Sequence, residues 1–274
     1  MRIDLSAKRC LSVAQAKKLN RIADSIRPLY HDMIGQLALG REDDLDWWVS
    51  AIAGRNTYAD SLFLDCCRAF LIRELLDEED VSEIVVPSSS LAEVTRKLCQ
   101  KKNLNVRILS AEGPLRILND FLAALSAYGQ DIIKYSYRFW LCRATYPPAE
   151  QDMPADCTLI DIFVLDRSFV GGDYQDRYYD NFGGYVREEE AESFVYIPTL
   201  DVRFRNTGRV LQALRKSRRR FLLAEDVLKA RDYLYAWAYP CRAVRLRPPQ
   251  AMIDDIDVTP LVRRAWQRHL FSGN

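Results

Sequence analysis

The run SEIVVPSSSLAEVTRKLCQKKNLNVRILSAEG, residues 82–113, changes its hydrophobic period twice. Its first part, SEIVVPSSS, is a short block of β-branched apolar residues that ends in a small polar loop. Such a block reads as a buried strand. LAEVTRKLCQKKN then spaces its apolar residues at threes and fours, the mark of an amphipathic helix. NVRILSAEG returns to a strand and its loop.

The same alternation continues outward. PLRILNDFLAALSAYGQDIIKYSYRFWLCRA reads as one long helix or a pair, CTLIDIFVLDRS (157–168) as a third strand, and ESFVYIPTL (192–200) as a fourth. GRVLQALRKSRRR is a basic helix, RFLLAED a fifth strand, and DVLKARDYLYAWAYPCRAV helical again. Strands of this length separated by helices predict an α/β fold. The expected form is a Rossmann-like parallel sheet with helices on both faces. In one such sheet the strand-to-helix loops share an edge, and ligands bind there.

A helical segment, 1–45, precedes this domain. Val13, Ala16, Leu19, Ile22, Ala23 and Ile26 fall on one face after a Ser12 cap, and Pro28 is expected to break or kink the run. Then comes DLDWWVSAIAGRNTYADSLFLDCCRAFLIRELL, residues 44–76. Trp47 and Trp48 start a short apolar face, residues 54–56 form a polar turn, and Ser61 or Asp60 caps a second helix that is apolar on several sides. Asp65, Arg68, Arg73 and Glu74 are its expected wet edge. The α/β domain is assigned to 46–250. Residues 251–274 read as a linker or the start of a missing second domain, because the helix carrying Trp266, Leu270 and Phe271 has little chain left to pack against.

Composition narrows the function. Net charge is +1, which gives no general attraction to nucleic acid. The seven cysteines include no CxxC pair and there are only two histidines, so no metal is expected and a reducing cytoplasm suits the chain. No signal peptide or membrane span is visible. Neither a Walker pattern nor GxGxxG is present, so nucleotide cofactors are not expected.

The residues DWWVSAIAGRNTYADSLFLDCCRAFLIREL, with DRYYDNF and LRKSRRRFLLAED further on, resemble bacterial surface carbohydrate biosynthesis proteins of O-antigen and capsule clusters. The resemblance covers most of residues 40–265. It implies the N-terminal half of a two-domain GT-B glycosyltransferase. A nucleotide-sugar donor would bind mainly to a second domain beyond residue 274, and a glycan or lipid-linked glycan would be the acceptor. No donor motif stands in these residues.

Several positions are candidates for chemistry. Trp47 and Trp48 either anchor a helix or offer a sugar-stacking surface. Arg55 and Asn56 either cap a helix or recognise a sugar hydroxyl or phosphate. Ser88, Ser89 and Ser90 open a helix after a strand, where backbone N–H groups hold an anion, unless Ser90 is simply the N-cap. The long loop LDRSFVGGDYQDRYYDNFGG (165–184) is either structural or an acceptor groove. In the second case Asp166 is the general base, with Asp176, Arg177 and Tyr178 lining the groove. The run 201–220 is strongly basic. It is a solvated helix face or a contact with an anionic membrane surface or lipid carrier. The alternative to a transferase is a noncatalytic binding or assembly module of a polysaccharide-synthesis complex.

Overall fold

The computed structural model describes residues 1–6, 11–48, 50–54, 61–146, 156–170, 173–175, 187, 193–217, 219–245 and 248–268. The chain forms two compact units. The first is Met1–Tyr128 with Ala238–Asn274, and the second is Gly129–Trp237. The sequence divisions at 45 and 250 do not coincide with these limits.

In the first unit, β1 (Arg2–Asp4), β2 (Glu83–Val86) and β3 (Arg107–Ser110) form a parallel sheet in the order β1-β2-β3. Ile3 pairs with Ile84, and Ile84 with Ile108. The β1-to-β2 crossover carries α1 (Val13–Ala38), α2 (Leu45–Trp48), α3 (Ala51–Gly54) and α4 (Leu62–Glu78). The β2-to-β3 crossover is α5 (Ser89–Lys101).

Helix α1 begins in a capping box, with the Ser12 hydroxyl accepting the Gln15 N–H and the Gln15 side chain accepting the Ser12 N–H. Pro28 does not break it. The carbonyl it leaves free, on Asp24, lies on the exposed side where water can reach it. Ile22 and Ile26 before the proline, and Tyr30, Met33, Ile34 and Leu37 after it, are buried and seat both halves in the core.

Helix α4 is buried on several sides, as its sequence suggests. Its expected wet edge needs one correction. Asp65 is buried, accepting the Ser61 hydroxyl at 3.1 Å and an Arg68 N–H at 2.8 Å. Residues 251–268 also return to this core. A two-stranded hairpin, β9 (Met252–Ile253) and β10 (Ile256–Asp257), leads into the helix Thr259–Arg268. Leu261, Val262, Ala265 and Trp266 of that helix are buried with Trp47, Ile72 and Leu91. The last helix therefore has the partners that its position at the end of the sequence seemed to deny it.

The second unit has its own parallel sheet, β4 (Thr158–Leu165), β7 (Phe194–Asp201) and β8 (Arg220–Phe221), in the order β4-β7-β8. A short antiparallel pair, β5 (Phe169–Val170) and β6 (Asp173–Tyr174), lies within the β4-to-β7 connection. The helix Thr207–Lys216 places Val210, Leu211 and Leu214 against Ile162, Val164, Leu200 and Phe221. The expected fifth strand reduces to β8, after which Ala224–Val227 is already helical. The long helix α6 (Pro114–Trp140) contains the boundary between the units and passes into a π-helical turn, Leu141–Thr145.

The chain is thus α/β with parallel sheets and helices. The strands predicted for a single sheet are divided between two. Strand identity is a local property of the side chains, whereas sheet membership depends on non-local pairing that periodicity does not encode.

Candidate functional site

The polar groups gather best where the parallel strands of the first sheet end. Ligands of open α/β sheets bind outside such carboxyl ends. Three chain segments meet the requirement: Asp4 and Ser6 after β1, Ser88, Ser89 and Ser90 after β2, and Ser110 and Glu112 at the exit of β3.

Asp4 is fixed by its own turn. One carboxylate oxygen accepts the Ser6 hydroxyl at 2.6 Å and the Ser6 N–H at 2.9 Å. These bonds, hydroxyl first, hold the Asp4 carboxyl below the usual carboxylate range. It remains half-exposed and ionised near neutral pH.

Ser88, rather than Ser90, is the N-cap of α5. Its backbone is extended and its hydroxyl accepts the Leu91 N–H at 3.2 Å. The Ser88 and Ser90 hydroxyls lie 3.2 Å apart and both side chains are buried. Ser89 is exposed, and its N–H donates to Glu112 Oε2 at 3.2 Å. Arg264, from the last helix, clasps both oxygens of the same carboxylate. Glu112 is further oriented by its own N–H, which donates to the Ser110 hydroxyl at 3.2 Å. The anion expected at this helix N-terminus is therefore supplied by the chain itself, and a cation neutralises it.

Asp166 does follow β4, as the sequence places it, but in the second unit. Oδ1 accepts the Arg203 N–H at 3.3 Å, and Arg203 Nε stands 3.9 Å from Oδ2. The Asp166 carbonyl accepts from Arg209 at 3.4 Å. This carboxylate ties the exits of β4 and β7 together. Ser88, Ser89 and Ser90 belong to the other sheet. Arg55, Asn56, Asp176, Arg177 and Tyr178 lie outside the described residues.

Much of the basic run 201–220 is used internally. Arg203 and Arg209 engage Asp166. Arg215 clasps Asp226 and donates to the Tyr146 carbonyl. Arg219 lies over the Tyr174 and Tyr196 rings, 5.6 and 5.5 Å from their centroids. Arg205 and Lys216 are exposed.

Sequence reasoning missed Asp4, Ser6, Glu112 and Arg264. Glu112 had a usable signal, being an acid two residues beyond a predicted strand. Arg264 had none, since its partner is 152 residues away.

Chemically, the edge offers an ionised carboxylate, a neutralised carboxylate and several hydroxyls. These are hydrogen-bonding partners for a hydroxyl-rich molecule. Among the described residues, no group of three or more His, Cys, Asp or Glu side chains is placed to hold a metal, and no helix is long and apolar enough to cross a membrane. No protein-family model, curated protein or solved structure matches the chain.

Proposed function

We propose that the chain handles a glycan acceptor in bacterial surface polysaccharide synthesis, as the acceptor-side part of a Rossmann-like, GT-B glycosyltransferase. The support is the polar edge of β1-β2-β3, where three strand exits bring Asp4, Ser6, Ser89 and Glu112 into one region of the first unit. Ionised Asp4 accepts hydrogen bonds from sugar hydroxyls, and the exposed Ser89 hydroxyl both donates and accepts. In this reading the nucleotide-sugar donor is bound mainly by a second domain. The acceptor is a glycan or a lipid-linked glycan, with peripheral contact at the inner face of the membrane.

The test is saturation-transfer NMR with a panel of free mono- and oligosaccharides. Saturable binding to the wild-type chain, abolished in Asp4→Ala and kept in Asp166→Asn, is expected. Absence of sugar binding to the folded wild-type chain overturns the proposal. Incubated with nucleotide-sugar donors and acceptors, the chain alone is expected to transfer nothing. Measurable transfer would overturn the division of labour between two domains.

A second reading is a noncatalytic binding or assembly module, in which Asp166 has a structural role: its Oδ1 accepts the Arg203 N–H and ties the exits of β4 and β7 together. Sugar binding that is insensitive to every carboxylate substitution at both strand exits would favour it.

A further inference from the structure

Among the described residues of the first unit, three neighbouring nitrogen donors are buried without an acceptor. Trp47 Nε1, Trp266 Nε1 and Arg41 Nη1 are all shut off from solvent without a hydrogen-bond partner. The indole side chains are almost wholly buried. The three groups are neighbours. The Trp47 and Trp266 ring centroids are 5.8 Å apart, and the Arg41 guanidinium carbon lies 5.6 Å from the first and 5.0 Å from the second. Unsatisfied buried donors are rare and each one calls for an explanation, a missing ion among them.

The nearby acids do not supply the missing acceptor. Glu42 accepts the Gly40 N–H, Asp44 accepts the Asp46 N–H, and both oxygens of Asp46 are taken by Arg242 at 2.8 Å. Asp43 is exposed. Among the described residues, Arg41 is therefore a partly buried cation whose charge is met by two aromatic faces and by no ion pair. The indole N–H groups gain nothing from that stacking, because a ring face attracts the cation and not a donor at the ring edge.

Arg41 has room to move by rotation about its own side-chain bonds. Its side chain is half-exposed, so the guanidinium has a route off the indoles.

We infer that Arg41, Trp47 and Trp266 form an oxyanion-binding site, which takes the phosphate or carboxylate group of a ligand once Arg41 swings off the two indoles. The planar guanidinium receives two oxygens of such a group side by side, and the indole N–H groups supply further donors. The site is separate from the sheet edge and does not depend on the sugar-binding proposal.

The experiment follows the indole proton–nitrogen signals of the full chain during titration with inorganic phosphate, with acetate, and with chloride at matched ionic strength. Trp47→Phe and Trp266→Phe assign the two signals. Both are expected to move downfield and saturate with phosphate or acetate but not with chloride. The ranking of phosphate and acetate tells which kind of oxyanion the site prefers. The Trp48 signal, whose N–H already donates to the Glu42 carbonyl at 2.8 Å, is expected to stay. Arg41→Gln is expected to weaken the response about tenfold or more, the usual worth of a charge-assisted hydrogen bond. If that variant fails to fold, the wild-type melting temperature is the second readout, expected to rise with phosphate over matched chloride. A folded wild-type chain whose two indole signals ignore both oxyanions overturns the inference. So does a response that Arg41→Gln leaves intact.

Discussion

Trp47 packs against Trp266 with the ring planes tilted by 31°, while its sequence neighbour Trp48 turns away to solvent. The two adjacent tryptophans thus have different roles. Trp47 is 1% exposed and Trp48 57%. Trp47→Ala is expected to cost about 3–5 kcal/mol, the range for emptying a large buried aromatic site. Trp48→Ala removes an exposed ring and one N–H bond, so about 1 kcal/mol or less is expected. Denaturant midpoints of the two variants check this, and equal losses would contradict the assigned packing.

The Arg138–Glu225 ion pair of the second unit, 2.7 Å long, has side chains only 8% and 1% exposed. Glu225→Gln leaves the Arg138 charge buried without its counter-charge, and a loss of about 3–5 kcal/mol is expected. The pair is incompletely satisfied, since Glu225 Oε2 and Arg138 Nε lack partners. Replacing both residues together, Arg138→Met with Glu225→Leu, is therefore expected to cost much less than the single change. Thermal or chemical unfolding of the three proteins decides the matter.

Acid should loosen the first unit. Asp255 is lowered first by its hydrogen bond to Lys101 and then by Arg73. Asp257 is pushed up by burial, but the Thr259 hydroxyl and Lys97 outweigh that and leave it lowered. Asp4 is lowered by Ser6. A carboxyl lowered in the folded state adds stability that is fully present above its unfolded value, about 3.9, and is lost as pH falls through the lower folded value. Unfolding midpoints are expected to drop below about pH 4, and Asp257→Asn is expected to flatten that drop. A variant that tracks the wild type through this range would remove Asp257 from the account.

The six thiols of the described residues should divide into two classes. Cys66, Cys67, Cys99 and Cys142 are buried, and Cys157 and Cys241 are exposed. Burial pushes Cys67 and Cys142 up to about 12, so neither forms thiolate near neutral pH. Brief alkylation of the native chain at mildly alkaline pH, read by peptide mass spectrometry, is expected to label Cys157 and Cys241 and spare the other four until denaturant is added.

What could be read from the sequence followed physical range. Local signals were legible: the Ser12 box, the β-branched blocks of β2, β3, β4 and β7, and a serine cap on α5. The cap was placed two residues late because all three serines are competent caps and only backbone geometry selects Ser88. Of the break or kink expected at Pro28, the break does not occur, because a proline's cost depends on whether water reaches the freed carbonyl. The Trp pair could not share one role, since adjacent residues on a helix point about 100° apart; which of them faces inward depended on Trp266. Neither the separation of the two sheets nor the Glu112–Arg264 clasp was legible, as both join segments far apart in the chain.

The first unit is made from both ends of the chain, with residues 129–237 inserted between them. A ribosome that has produced only residues 1–128 has therefore not yet delivered the helix that closes over Trp47. The nascent amino-terminal part must wait, with that indole uncovered, until the inserted unit has emerged and the closing helix follows. A chain that stops before Thr259 should stay in that waiting state.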